Sequence, residues 1–423
     1  MASEWRDRPL EEICAFLNRG AAPSYVDREG LMVLNQKCVR DGRVLLDQAR
    51  RTDPAVKRIS KERVLKPFDV LVNSTGVGTL GRVAQVLTLP EAATVDSHIT
   101  IVRADPQKVF PRYLGFALRK YQPEIEALAE GSTGQTELSR ARLAKLRIAL
   151  PPPLEQQAIA CILGALDDKI ELNRRMNRTL EDTARAIFKS WFVDFDPVRA
   201  KASGQKPPGL KPETAALFPN AFEDSGLGEI PRGWRVGQLG EIIDIHDSNR
   251  IPLSSRERQK RQGSYRYYGA AGIVDYVDDF LFDGIYVLVG EDGSVVTMAC
   301  NPVVQYVWGK FWVNNHAHVL KAKGGVTDEH LLLLLQQVYV TPFVTGAVQP
   351  KLSQTNMKAI PVIHGSSEVN KEFGRVINPL YAKQRVLHDQ IGSLVAVRDA
   401  LLPKLISGDL VIAEAERIVE RCT

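Results

Sequence analysis

The sequence predicts an α+β protein: two similar globular modules separated by two long helices that pair antiparallel as a coiled coil. Three observations carry this expectation. Short motifs recur in the same order along the chain, two long stretches keep a heptad apolar seam, and a proline-rich stretch joins the first seam to the second copy.

The first copy opens with Trp5-Arg6-x-x-x-Leu10-x-Glu12-Ile13 and the second with Trp234-Arg235-x-x-x-Leu239-x-Glu241-Ile242. Their ends also align. Gln135-x-x-Leu138-Ser139-x-x-x-Leu143-x-x-Leu146-x-Ile148 matches Gln349-x-x-Leu352-Ser353-x-x-x-Met357-x-x-Ile360-x-Val362. Between these markers Val95-x-x-His98 recurs as Val313-x-x-His316, and "FDVLV" resembles "FDGIYVLV" from Phe282 to Val289. Little else matches, as expected of two modules that share a scaffold and differ in surface.

Residues 1–150 form the first module. Within it, "FDVLVNSTGVGTLGRVAQV" from Phe68 to Val86 contains Gly76-x-Gly78-x-x-Gly81, the spacing of a dinucleotide-binding fingerprint. That fingerprint requires a helix directly after its third glycine. The run from Arg82 to Pro90 instead alternates, is rich in β-branched residues and stops at proline, which predicts a second strand and hence a hairpin.

Residues 151–195 hold the first long helix, starting near Leu154 after Pro151-Pro152-Pro153. Its seam runs through Ile159, Leu166, Asn173, Leu180 and Ile187, with Leu163, Ile170, Asn177, Ala184 and Trp191 beside it. At 1.5 Å per residue this helix is roughly 55–60 Å long. Residues 196–232, with prolines at 197, 207, 208, 212, 219 and 231, read as a surface linker with little core of its own.

The second module spans 233–364, the second helix 365–406 and a tail 407–423. The second seam is Phe373, Leu380, Leu387, Leu394 and Leu401, with Ile377, Gln384, Ile391, Arg398 and Leu405 beside it, and Pro403 is expected to close or kink the helix. Asn173 and Asn177 are expected to face Gln384 and Arg398 across the seam. Buried polar groups there penalise slipped registers.

Hydrophobic content of 44% and charged content of 25% are those of an ordinary globular protein, and a net charge of +5 permits a nucleic-acid partner. The five cysteines (Cys14, Cys38, Cys161, Cys300 and Cys422) are scattered, arguing for a reducing cytoplasm and against a disulfide framework or a zinc site. The first residues are polar and lack a signal-peptide core, and apolar runs such as Leu331–Leu335 are far too short to span a bilayer.

No catalytic constellation assembles. Asn301-Pro302-Val303-Val304 carries half of the Asn-Pro-Pro-aromatic motif with which adenine methyltransferases hold their target amine, and reads as a turn into a strand. No GxxxxGK[ST] loop is present for ATP. His316 and His318 alternate on an expected strand, without a third metal ligand nearby, and read as core and hydrogen-bonding residues. Asp167-Asp168 and Asp278-Asp279 lack the lysine partner of a nuclease site.

The stretch "LPPPLEQQAIACILGALDDKIELNRRMNRTLEDTARAIFKSWFVDFDPV", with "LGEIPRGW", "YYGAAGIVDYVDDFLFDG" and "LLPKLISGDL", resembles the specificity (S) subunits of type I restriction-modification systems. The resemblance covers the whole chain in order; the second helical region departs from it, lacking the prolines and Glu-Gln of the first. It implies two mixed α/β target-recognition domains, each with a curved sheet and each reading one half of a split DNA target. It further implies a coiled coil that docks methyltransferase (M) subunits, two in number, and restriction/translocase (R) subunits in the same complex. It also implies no membrane, places S-adenosylmethionine, ATP and Mg on those partners, and leads to the expectation that this chain is non-catalytic and binds no cofactor or metal itself.

Residue chemistry nominates contacts to double-stranded DNA. From Lys37 to Lys66 ten basic residues face four acidic ones, giving Lys37, Arg40, Arg43, Arg50 and Arg51 as phosphate contacts. In the second module Arg250, Arg256, Arg258, Lys260 and Arg261 lie in an expected loop, followed by the interleaved Arg266, Tyr267 and Tyr268. The hairpin tip Asn73, Ser74 and Thr75 and the loops bearing Ser132, Thr133 and Gln135, and Gln349 and Lys351, complete the set. Small residues let backbone approach phosphate, and glutamine can pair with adenine. Two other readings compete: a stand-alone adenine methyltransferase or nucleotide-dependent enzyme built on Gly76–Gly81, and a coiled-coil scaffold that touches no DNA.

Overall fold

The structure, a computed structural model, describes residues 5–56, 58–131, 136–346 and 348–422. It divides into two compact units. One holds the chain up to Leu172 together with the stretch from Gln390 onward, and the other runs from Asn173 to Asp389.

The first unit contains three sheets that recur in the second. In its central sheet the order is Cys14–Arg19, Ile99–Ala104, Val70–Asn73, Val83–Gln85, all antiparallel. The second unit repeats it as Ile243–Ile245, Ala317–Ala322, Tyr286–Gly290, Val304–Val307, again all antiparallel. Each unit adds a four-stranded sheet containing one parallel pair. That pair is Leu31–Leu34 with Ala93–Val95 in the first unit and Gln262–Gly269 with Lys310–Val313 in the second.

The repeated end motifs acquire a physical meaning here. Arg6–Pro9 pairs antiparallel with Arg147–Leu150, and Arg235–Gln238 pairs with Pro361–His364, so each module is closed by joining its first and last strands. The shared Leu-Ser is a helix start. Ser139 Oγ accepts from the Arg142 N–H and Ser353 Oγ from the Asn356 N–H, both at 3.2 Å, while Leu138 and Leu352 are buried behind them.

The glycine-rich stretch is a hairpin. Val70–Asn73 pairs antiparallel with Val83–Gln85, Val70 opposite Gln85. Gly76 and Gly81 take φ of +105° and +81° in the connection, the left-handed backbone that glycine adopts at least cost. No helix N-terminus follows the third glycine, so this loop cannot cradle a pyrophosphate in the dinucleotide manner.

The long helices run Pro153–Phe192 and Ser367–Ser407, the second capped by Ser366 Oγ, which accepts from the Val369 N–H. In the first unit Ile159, Leu163, Leu166 and Ile170 share a core with Leu394, Leu401, Leu402 and Leu405. In the second, Ala184, Phe188 and Trp191 pack with Phe373, Ile377 and Tyr381. The direction is antiparallel: Phe192 lies 4.9 Å from Phe373 ring to ring, whereas Glu181 lies within electrostatic reach of Tyr381.

Of the two readings of Pro403, closure is excluded, because the second helix continues past it to Ser407. The stretch between the helices is a correction. Residues 196–232 are not a bare linker: they form helices Asp196–Ala202 and Pro212–Ala216 and the hairpin Phe222–Ser225/Gly228–Pro231, and they bury Val198, Phe218 and Ile230 in the core of the second unit. Arg398 is buried. Its guanidinium donates to Asp167 at 2.8 Å and to its neighbour Asp399, because a buried cation is stable only beside compensating carboxylates. Asn173 is buried, while Asn177 and Gln384 are half-buried.

Candidate nucleic-acid interface

In the first unit Lys37 and Arg40 are exposed, with Arg40 3.5 Å from its neighbour Asp41. Lys37 and Arg50 line an open polar groove of about 420 Å³ together with Asn35, Gln36, Asp47 and Gln48. Arg50 also stacks over the Tyr25 ring, 3.5 Å from its centroid. Such a groove offers amide donors and acceptors beside cations, the combination that base edges and phosphates require. Arg43 and Arg51 are instead engaged within the fold, Arg43 with Glu171 at 2.7 Å and Arg51 with both Glu91 oxygens and the Gly30 carbonyl.

The hairpin residues divide. Asn73 and Ser74 are 0% exposed and cannot meet DNA. Asn73 Nδ2 donates to the Gln36 and Thr79 carbonyls, and Ser74 Oγ lies 2.6 Å from Thr100 Oγ1. They stand at a strand end whose backbone is paired on both sides, so their polar groups serve the loop. Thr75 is half-buried, its hydroxyl 2.7 Å from His98 Nδ1. Ser132, Thr133 and Gln135 lie outside the described residues.

In the second unit the basic run is a short helix, Ser255–Lys260, rather than a loop, started by a Ser254/Glu257 capping box. Arg256 and Lys260 point to solvent, and among the described residues neither has an ion-pair partner. Arg258 and Arg261 turn inward. Arg258 binds Asp275 at 2.9 Å and the Leu253 carbonyl, and Arg261 binds Asp278 at 2.9 Å while lying over the Trp312 ring. Tyr267 and Tyr268 are buried, the Tyr267 hydroxyl accepting from the Leu253 N–H, so they form core rather than a base platform. Arg266 is half-buried against Trp308. Gln349 and Lys351 are exposed, Lys351 3.5 Å from Glu291.

Arg250 is the clearest correction among the cations. Only 11% of its side chain is exposed, and it donates to Glu291 at 2.8 Å and to the Ala317 carbonyl while lying 3.4 Å from Asp247. His318 completes this cluster. Its two ring nitrogens lie 2.6 Å from Asp247 Oδ2 and 2.8 Å from the Leu352 carbonyl oxygen. Burial opposes ionisation of Asp247, yet its bonds to His318 and to the Val319 N–H hold its carboxyl below the usual range.

Asp247, Glu291 and His318 bring their ligand atoms within 4.8 Å of one another, a grouping that sequence spacing did not reveal. The Arg250 guanidinium, with both His318 nitrogens already engaged, makes the cluster an internal ion network rather than a ready metal cage. His316, expected beside His318 on a strand, sits in the preceding turn with its ring at the surface.

The type I restriction modification DNA specificity domain matches residues 2–182 and 231–393, one stretch for each module with part of the helix behind it. The chain belongs to the type I restriction-modification DNA specificity family.

Relatives span most of its length. The MjaIX specificity subunit of Methanocaldococcus jannaschii is 26% identical over 387 residues, covering 86% of this chain and 82% of its own. The HindI specificity subunit of Haemophilus influenzae is 24% identical, covering 96% of this chain and 100% of its own. The crystal structure of the S subunit from M. genitalium aligns with a TM-score of 0.58 at 18% identity over 96% of both chains, which shows a shared fold. Among the described residues no helix is long and apolar enough to cross a membrane. Within this family frame, sequence reasoning did not single out Asn35, Gln36 and Gln48, the amides that line the groove of the first unit.

Proposed function

We propose that this chain is the non-catalytic DNA-specificity subunit of a type I restriction-modification complex. Each module reads one half of a bipartite duplex target, and the paired long helices set the spacing and dock two methyltransferase subunits. Asn173, Asn177 and Gln384 hold the helix register. S-adenosylmethionine, ATP and Mg are bound by the methyltransferase and restriction/translocase partners, in the cytoplasm.

The observation that carries this reading is the repeated strand order borne by modules with different loops. A scaffold kept constant while its surface residues change is what two independent readers require. The test maps methylated adenines genome-wide with and without the chain, then exchanges one module for that of a relative. The expected result is a split target that depends on the chain, with only one half altered by the exchange. A target unchanged by the exchange overturns the reading.

Phosphate contact has its own signature. Replacing both Arg256 and Lys260 by alanine is expected to weaken DNA binding by the assembled complex on every sequence alike. The slope of log affinity against log salt should fall by about 2, near 0.9 for each lost contact. Binding measured from 50 to 300 mM salt checks this, and an unchanged slope removes these two residues from the interface.

A further inference from the structure

The Val-x-x-His repeat marks a contact scheme that the two units share almost atom for atom. In the first, His98 occupies the turn before strand Ile99–Ala104. Its N–H donates to Asp96 Oδ1 at 2.9 Å, its carbonyl accepts from the Ser74 N–H at 2.8 Å, and Nδ1 lies 2.7 Å from the Thr75 hydroxyl. In the second, His316 occupies the turn before Ala317–Ala322. Its N–H donates to Asn314 Oδ1 at 2.8 Å, its carbonyl accepts from the Glu291 N–H at 2.8 Å, and Nδ1 donates to Asp292. Thr75 and Asp292 each bridge to the segment that leads into the module's last helix, at Glu137 and Lys351.

Every partner in this scheme differs between the units, yet the imidazole is kept. A ring needed only to pin the loop would be exchangeable for any short amide, as its partners are. What the imidazole supplies beyond the pin is a second nitrogen on a rigid, pre-oriented ring. In both units that ring is exposed, 47% for the His316 side chain, and among the described residues Nε2 has no hydrogen-bond partner.

We propose that His98 and His316 are direct DNA contacts, each presenting Nε2 to a hydrogen-bonding group of its own half-target. The proposal rests on the function proposed above. The ring is held at Nδ1 by its own module, so a contact at Nε2 incurs little further loss of side-chain freedom. The shared chemistry is a single hydrogen bond to nucleic acid, at a base edge or at a phosphate oxygen.

Isosteric replacements separate contact from pin. Asparagine places its amide near the position of Nδ1 and keeps the inward bond without the outward one, whereas glutamine extends an amide nitrogen to the place of Nε2. The full chain is assembled with its methyltransferase partner, and duplexes carrying the mapped target and single-base variants of each half are the probes.

His98→Asn is expected to lower affinity by about tenfold or more through the first module's half only, and His316→Asn through the other half only, with unfolding midpoints near the parent's. His98→Gln and His316→Gln should stay within a few-fold of the parent. A base contact shows as loss confined to one base pair. A phosphate contact shows as equal loss on all sequences, with the salt slope reduced by about 0.9. Asparagine variants that bind as the parent does overturn the proposal, as do asparagine and glutamine variants that lose binding together with stability. If the unaltered chain confers no selective methylation, it is the proposed function that fails rather than this inference.

Discussion

Replacing Arg250 by methionine is expected to destabilise the second unit by about 3–5 kcal/mol, the range for removing one member of a buried ion pair. The guanidinium compensates Glu291 at 2.8 Å and Asp247 at 3.4 Å and satisfies the Ala317 carbonyl. Methionine keeps most of the apolar stem but removes the guanidinium from two carboxylates, leaving Asp247 with His318, the Gln354 amide and the Val319 N–H, and Glu291 with His318 and the exposed Lys351. The matched control is Arg256→Met, on the solvent side of the same basic run, which should change stability by no more than about 0.5 kcal/mol. Urea unfolding of both variants decides the matter. Equal midpoints would mean that Arg250 is not a structural member of the network. A reduced DNA salt slope for Arg250→Met at unchanged stability would return it to the phosphate-binding set.

The contrast between Arg250 and Arg256 also shows where sequence reading stops. Local signals translated well. Two serines three residues ahead of their bonded N–H groups start equivalent helices, glycines followed by an alternating run make a hairpin, and tryptophan-led motifs pair with motifs more than a hundred residues later to close each module. All of these follow from backbone geometry and burial, which leave a periodic trace. Counting basic residues was a poorer guide, because whether an arginine is free depends on carboxylates that arrive from other strands. Glu291 reaches Arg250 from 41 positions away, and Asp275 reaches Arg258 from 17. No local pattern announces such pairs, so several arginines nominated for DNA turn out to hold the modules together, while Lys37, Arg40, Arg50, Arg256, Lys260 and Lys351 are exposed.

The heptad seam fails in an equally instructive way near Trp191. The seam assigns Ile187 to the interface and leaves Phe188 outside it, whereas the structure leaves Ile187 half-buried and Phe188 2% exposed. Phe188 packs against Phe192, Phe373 and His330 with ring centroids 5.2, 5.8 and 5.7 Å away. His330 belongs to the helix Asp328–Leu335 that covers the second unit's central sheet, and burial pushes its imidazole down to about 3, so it joins the cluster as a neutral ring. The long helix here packs on its module as well as on its partner helix, and its apolar face is wider than a two-position seam. Phe188→Ala is therefore expected to cost about 3–5 kcal/mol, the range for emptying a buried aromatic site, and Ile187→Ala no more than about half of that. Denaturant unfolding of the two single variants tests the ranking. A larger loss at Ile187 would mean that helix pairing alone governs this end of the helix, and the module would then owe little of its anchorage to the aromatic cluster.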